Sequence, residues 1–344
     1  MNDEILTLSM YFAERERRDG RFLAETLLDL LDERGVNTSV MLRGIAGLGS
    51  ANIARSDRSL SLSEDSPVSI AAVDTPDRIS SLAGDVVSTV DRGMITVQRG
   101  RFGHGSTPAL GGDVRLSLYL ARRQRIAGAP GYVAVCDALH RLGFAAAEVL
   151  LGVDGTVAGE RRKARFFSRN AEVPLVVVGV GSGAQAAAAL EELRALVPEP
   201  LFTVEPVLVC KSRGGALAVP GDVTGPEPFR RLTVRTAEDT HHEGRPIHRA
   251  LIQRLKEYGH SSGATVLRGI WGFHGGEEPH GDGFPQLTRH VPVSTVIVGA
   301  AATVTAIYPI VDELTGRDGL VTCEAVHGML TRLGDQSVGE LGLN

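Results

Sequence analysis

Apolar residues recur along the chain in one order of elements. Helical spacing of apolar residues over positions 22–34, ended by Gly35, predicts a first helix. Thr75 followed by Pro76 predicts the start of a second helix. Extended apolar runs predict strands at residues 5–12, 39–45, 67–73 and 94–98. The order strand, helix, strand, strand, helix, strand indicates an α+β module of the ferredoxin-like type, with four antiparallel strands and two helices on one covered face.

The same order is repeated three times. The segment RGIAG at residues 43–47 returns as RGIWG at 268–272, and a degraded copy, LGVDG, lies at 151–155. Each copy has a glycine before its first helix, a glycine after it, and a proline that opens a strand after the motif. The predicted modules cover residues 1–99, 113–211 and 228–332, separated by Gly- and Pro-rich linkers.

Three local features modify this pattern. Each motif is followed by a long polar stretch, as at residues 47–65, which predicts a mobile loop. In the second helix of the third module, Pro309 lies in the interior, which predicts a kink or a break because proline removes a helix hydrogen bond. Residues 333–344 are predicted to be a poorly ordered tail.

Composition narrows the class of protein. The net charge is −5 at pH 7, which argues against a nucleic-acid binder. No apolar run approaches the ~18 residues of a membrane helix, and the first residues lack a signal peptide, so we expect a cytoplasmic protein without membrane insertion. Cys136, Cys210 and Cys323 form no CxxC pair and are expected to be buried thiols.

The third copy carries a family resemblance. Its segment ATVLRGIWGF, preceded by HEGRPIHRALIQRLKEYG, is similar to the PII-like bacterial domain family, and the first copy matches through RDGRFLAETLLDLLDERG, VMLRGIAGLG and LSLSEDSPVSI. The second copy matches mainly in spacing. The resemblance to PII and CutA proteins implies homotrimers with small ligands in the clefts between subunits. Three copies in one chain then imply a monomeric chain that folds as an intramolecular pseudo-trimer.

The motif itself is the first candidate site. Glycines after a strand permit close approach of backbone to a ligand, and an arginine can bind phosphate or carboxylate through two hydrogen bonds. In the alternative interpretation, the glycines only turn the chain and the arginine pairs with a carboxylate between modules. The resemblance favours anion or nucleotide binding here, and the second copy has Leu151 in place of the arginine. The predicted ligand-binding residues are Arg43, Gly44, Gly47, Gly49, Arg268, Gly269, Gly272 and His274.

Two loops offer other chemistry. The third-module loop contains His274, Glu277, Glu278, His280 and Asp282. This density of imidazole and carboxylate suits a divalent metal, with His274 and His280 as candidate ligands, or simply a histidine-rich mobile loop. The second-module loop, residues 159–169, carries five basic residues beside two phenylalanines. It is either a solvated loop or a docking loop for an acidic partner.

No catalytic motif is evident, so we expect a protein that is not an enzyme. The sequence predicts a PII-like sensor that binds a small anion, with an adenine nucleotide as the candidate ligand, and regulates a partner through its long loops. Relatives of the family are linked to fluoride-channel genes, so the resemblance points to a membrane transporter or channel as the partner. The alternatives are a CutA-like protein that binds divalent metals and a structural scaffold without ligand.

Overall fold

The computed structural model describes the chain with ten gaps at the ends and in loops. The described residues are 4–49, 53–56, 65–103, 111–157, 159–162, 173–197, 201–259, 263–281 and 290–343. Within them the protein is a mixed α+β structure of mostly antiparallel strands.

Each module contains four main strands, called first to fourth below, and two helices. In the first module the strands are Glu4–Ala13, Thr38–Arg43, Pro67–Asp74 and Arg92–Phe102, with helices α1 (Leu23–Glu33) and α2 (Pro76–Thr89). In the second they are Asp113–Ala121, Ala146–Leu151, Pro174–Ser182 and Leu201–Ser212, with α3 (Gly131–Arg141) and α4 (Gly183–Leu196). In the third they are Phe229–Ala237, Gly263–Arg268, Pro292–Ala300 and Leu320–Val326, with α5 (Ile247–Tyr258) and α6 (Ala301–Thr315).

Shorter elements complete the modules. A two-stranded turn precedes each first helix, at Arg17–Arg18 with Arg21–Phe22, Arg125–Ile126 with Ala129–Pro130, and His241–His242 with Arg245–Pro246. A hairpin follows each motif turn, at Ala46–Leu48 with Ala54–Ser56, Asp154–Val157 with Glu160–Arg161, and Trp271–His274 with His280–Gly281. We call these three the motif hairpins. The second linker contains the strand Gly215–Ala216 and a 3₁₀ turn, Pro220–Asp222.

The strand order is the same in every module. The first strand pairs with the third and the fourth, and the second pairs with the third, all antiparallel. The sheet order is therefore second, third, first, fourth. Each sheet carries its helices on one face, where the apolar cores of the three modules form.

Three local predictions need correction. The sheets are covered on both faces, since the first eight residues of Pro174–Ser182 are buried, whereas one covered face was predicted. Helix α6 runs through Pro309 without a break, so the break is excluded and the kink stays a prediction. The predicted tail forms a hairpin, Gly328–Leu333 with Gln336–Glu340, and Leu341 is buried in the core of the first module. Apolar side chains at Leu341 and Leu343 gave a signal for this packing that the polar composition around them obscured.

The modules are joined by two closed cycles of strand pairing. The motif hairpin of the first module pairs with the second strand of the third module, that of the third with the second module, and that of the second with the first. In the other cycle, the continuation of each fourth strand pairs with the fourth strand of the next module. Each module is thereby hydrogen-bonded to both of the others.

Where the inner faces of the sheets meet, charged side chains are buried. Arg115 Nη2 of the second module lies 3.2 Å from Glu324 Oε2 of the third and 3.6 Å from Glu205 Oε1. Gln98 of the first module donates to Glu324 at 2.9 Å and accepts from Arg231 at 2.9 Å. Along the strands these residues alternate with core residues that face the helices, as Arg115 does with Val114 and Leu116. Their side chains therefore lie on the opposite face of the sheet, towards the other modules. We call Gln98, Arg115, Glu205, Arg231 and Glu324 the central network.

A second buried pair extends the contact between the second and third modules. Arg235 Nε lies 3.1 Å from Glu148 Oε1, and Ser294 donates to the other carboxylate oxygen at 2.5 Å. Burial lowers the pKa of Arg235, although Glu148 acts in the opposite direction. Burial alone would raise the pKa of Glu324, but Arg115 and Arg231 outweigh it and hold that pKa below its usual range. The Glu324 carboxylate therefore stays ionised in this interior because arginines surround it.

Candidate functional site

The glycines of the motif lie against the backbone of a neighbouring module. The N–H of Ile45 donates to the Val266 carbonyl, that of Val153 to Met41 and that of Ile270 to Val149, each at 2.9 Å. A Cβ on Gly47 would lie 2.8 Å from the Ala264 carbonyl oxygen, and one on Gly272 would lie 2.2 Å from the Ala147 carbonyl oxygen. The glycines thus permit close docking of one module on the next.

Gly44 and Gly269 are also held at these contacts. A Cβ on Gly44 would meet Pro67 Cγ at 2.8 Å and the Val266 carbonyl oxygen at 2.9 Å. On Gly269 it would meet the Pro292 carbonyl oxygen at 3.2 Å. Close packing against the proline of the same module, and at Gly44 also against the neighbouring module, explains why glycine stands at both positions, and their role as ligand contacts stays a prediction.

The motif arginines form ion pairs within their own modules. Arg43 Nη2 lies 2.7 Å from Glu14 Oε2, and Arg268 Nη2 lies 2.5 Å from Glu238 Oε1. In the second module both partners are different, because Leu151 replaces the arginine and Arg122 occupies the position of the glutamate. The arginine therefore pairs with a carboxylate, as in the alternative interpretation, but inside a module and not between modules.

Each motif hairpin packs beside the first helix of the neighbouring module, which creates three comparable clefts with different contents. The cleft between the second-module hairpin and α1 has a volume of about 430 Å³. It contains Arg43, but also Glu14, Glu25 and Asp154. Arg161 ties its hairpin to α1, with Nη2 2.9 Å from Asp154 Oδ2 and an ion pair to Asp29. This mixed charge and the ion pairs of Arg161 make the cleft less suited to an anion than a purely basic one.

The cleft between the third-module hairpin and α3 is filled by aromatic side chains. Trp271 packs against the core of the second module, and Phe273 is buried within it. The imidazole of His140 meets the edge of Phe273 with ring centroids 5.0 Å apart. Because Trp271 takes the position of Ala46 in the first module, side-chain volume replaces open space here.

The cleft between the first-module hairpin and α5 is open and basic. Its volume is about 600 Å³, in the range of small-molecule sites. The cations that line it are Arg55, Arg245, Arg249 and Lys256, and no carboxylate lines it among the residues that the structure describes. Arg249 and Lys256 are seven residues apart on α5, which places them on one helix face. We call this space the basic cleft.

A smaller cavity lies on the other side of the same hairpin. Its volume is about 100 Å³, and Gly47 and Gly49 line it together with Arg55 and Arg92. Burial raises the pKa of Glu16 in this cavity, although Arg92 acts against the shift. Two of the predicted ligand-binding residues therefore line the first–third module interface, and Arg55 reaches both spaces.

The histidines of the third module come together as a second kind of site. His274 and His280, the candidate metal ligands, are joined by Glu277 and by His290, which the sequence reading did not select. Asp282 lies outside the described residues, as do residues 163–169 of the basic second-module loop. Of that loop, Arg161 and Arg162 are described, and both pair with carboxylates.

The class of protein follows from this geometry: an α+β chain of three repeated domains, with clefts between neighbouring copies. Comparison of sequences identifies the family. Residues 5–102, 113–209 and 229–328 each match the DUF190 family, described as Uncharacterized ACR, COG1993. The chain belongs to this PII-like family as three tandem copies, which confirms the predicted resemblance.

A curated relative gives the same result. The UPF0166 protein of Aquifex aeolicus (strain VF5) is 33% identical over 96 residues, which are 28% of this chain and 88% of the relative. The relative thus corresponds to about one module. In the described part of the chain, no helix combines the length and the apolar character needed to cross a membrane.

Proposed function

We propose that the chain is an intramolecular counterpart of a trimeric PII-like protein, built from three ferredoxin-like modules. The strand order second, third, first, fourth in each sheet supports the ferredoxin-like assignment. The two closed cycles of strand pairing support the trimer-like arrangement, since each module uses the same edges towards its neighbours.

In this proposal the basic cleft binds a small anionic ligand, and an adenine nucleotide is the first candidate. The observation that carries it is the set of four cations that line a space of about 600 Å³. Arginine and lysine bind phosphate through charge-assisted hydrogen bonds, which are the strong ones. Arg55 is paired with Asp65 at 3.4 Å, so a ligand phosphate would compete with that carboxylate.

Binding at this cleft is proposed to act through the first motif hairpin. Arg55 belongs to the hairpin strand Ala54–Ser56, while the other three cations belong to the third module. A bound anion would therefore hold the hairpin against α5, and the loop that the hairpin carries would then present a changed surface to a partner. We propose a cytoplasmic, non-enzymatic regulator whose partner is a membrane transporter or channel.

Calorimetry with ATP, ADP, cyclic AMP and inorganic phosphate tests the ligand. We expect the double substitution Arg249→Gln and Lys256→Gln to weaken nucleotide binding about tenfold or more, because it removes two charged donors. Arg254→Gln is the matched control, since Arg254 lies on the same helix but does not line the cleft, and it pairs with Glu313 of α6 at 3.2 Å.

The same titration separates the alternatives. Arg43→Gln and Arg268→Gln should leave the affinity unchanged if the basic cleft is the site. If these two variants lose nucleotide affinity instead, the motif arginines form the binding site. No response of the wild-type protein to any of the four anions would favour the structural scaffold and sink the proposed function.

The architecture has its own test. Because both cycles of strand pairing close within the chain, the 36.5 kDa chain should be monomeric over a wide concentration range. Light scattering after size exclusion measures the mass directly. A stable assembly of three chains would contradict the intramolecular arrangement.

A further inference from the structure

The third motif hairpin holds a cluster of metal-ligating side chains away from the basic cleft. Glu277, His280 and His290 each offer one ligand atom, and these atoms all lie within 4.8 Å of one another. The Nε2 of His290 is 3.4 Å from Glu277 Oε2. Ligands of a tetrahedral zinc ion lie about 3.3 Å apart, so this pair already has the required separation.

Hydrogen bonds at Nδ1 of His280 and of His290 orient both imidazoles, with Nε2 directed towards the space between the three ligand atoms. The Nδ1 of His280 lies 2.8 Å from the backbone carbonyl oxygen of Glu278, which can only accept, so Nδ1 carries the hydrogen. The Nδ1 of His290 lies 2.6 Å from Asp239 Oδ1. In each ring Nε2 is left as the ligand atom. A carboxylate or carbonyl partner on the second ring nitrogen is the usual support of a metal-binding histidine.

The strands next to His280 and His290 restrict the positions of these two side chains. His280 belongs to a strand of the motif hairpin, where it pairs with Gly272, and His290 lies two residues before the strand Pro292–Ala300. The two rings are stacked with centroids 4.7 Å apart. The His290 side chain is 40% exposed, so an ion can enter from solvent. Within the part of this predicted loop that the structure describes, two strand segments are therefore paired.

We propose that Glu277, His280 and His290 form a binding site for a borderline divalent transition-metal ion such as Zn²⁺. The ligands are Nε2 of both imidazoles and a carboxylate oxygen of Glu277, a donor set that suits zinc, nickel or copper better than magnesium or calcium. His274, whose Nδ1 lies 2.9 Å from Glu277 Oε2, stands beside the site. The proposal is independent of the anion site.

Metal binding would stabilise the third motif hairpin where it contacts the second module. The N–H of Gly275 donates to the Ala145 carbonyl at 3.0 Å, and Glu278 lies 3.7 Å from His140. Trp271, the only tryptophan of the chain, pairs with Gly281 next to His280. Its fluorescence therefore reports on the surroundings of this hairpin.

Untagged protein titrated with Zn²⁺ by calorimetry tests the proposal. We expect one ion per chain, with binding lost in His280→Gln and in His290→Gln and retained in the control His242→Gln, which alters a histidine of another turn. Asp239→Asn should bind about 10- to 100-fold more weakly, because Asp239 orients His290 without contacting the ion.

Fluorescence gives a readout on the unaltered protein. Cu²⁺ should quench Trp271 at one equivalent, and Zn²⁺ should reverse the quenching by competition. The proposal is overturned if wild-type protein binds no Zn²⁺ at one equivalent. It is equally overturned if correctly folded His280→Gln and Glu277→Gln proteins bind Zn²⁺ as the wild type does, since the ion would then be held elsewhere.

Discussion

His327 illustrates how a single side chain at a module junction can be sensitive to pH. Its Nδ1 accepts a hydrogen bond from the Arg99 N–H at 3.3 Å, and its Nε2 lies 3.4 Å from Glu227 Oε1. Burial lowers the pKa of His327, and Arg99 adds to the effect although Glu227 opposes it. An accepting Nδ1 requires the neutral ring, so protonation breaks a contact between the third and first modules.

We therefore expect acid to destabilise the protein through His327. A histidine whose pKa is depressed on folding binds fewer protons than in the unfolded chain, so stability is full above the ordinary histidine pKa of about 6.5 and falls as the pH drops below it. Thermal melting between pH 8 and pH 5 measures this. His327→Gln, which still accepts a hydrogen bond, should lose less stability over that range. An identical loss in wild type and variant would contradict the assignment.

For individual residues, the sequence predicted which residue types matter but did not predict which residues they contact. The spacing of Gly44 and Gly47 indicated close approach of backbone, but only the fold shows that the approaching group is a strand of another module. Arg115 and Glu324 are more than two hundred residues apart, and strand periodicity contains no information on which modules face each other. The buried state of all three cysteines was predicted and is confirmed.

Among the elements, the motif hairpin determines what each cleft can hold. The sequence predicted a long loop here, and the first residues of that loop instead pair as a hairpin because they extend a neighbouring sheet. The basic face of α5 is readable from the spacing of Arg249 and Lys256. The sequence does not predict that the first motif hairpin lies beside α5, because this contact depends on the docking of two modules.

Trp271 gives a prediction for this element. Trp271→Ala should destabilise the protein by about 2 kcal/mol, because a partly buried indole leaves the core of the second module. It should also open the cleft beside α3. Urea unfolding followed by circular dichroism measures the first effect. Trp271→Phe keeps an aromatic ring in the cleft, so its free energy of unfolding should lie between those of the wild type and Trp271→Ala. Equal stability of all three proteins would show that the indole does not fill the cleft.

For the whole molecule, the central network links the stability of the modules. Glu324→Gln should cost about 3 to 5 kcal/mol, because Arg115 would keep its buried charge with one carboxylate fewer. Glu4→Gln is the control, since Glu4 forms an exposed pair with Arg99 and should change stability by less than about 1 kcal/mol. Thermal and urea unfolding of the two variants compare them. Similar small losses in both would mean that the network contributes little to holding the modules together.

The differing contents of the three clefts have a consequence for the ligand binding that we propose. In an assembly of three identical subunits, each substitution appears three times, and three equal sites can influence one another. Here Arg161 ties one cleft, Trp271 fills another, and one cleft stays open with its cations. One site per chain gives a simple hyperbolic saturation curve with a Hill coefficient of one. Such a protein would report ligand concentration gradually, over about two decades, and would have no threshold.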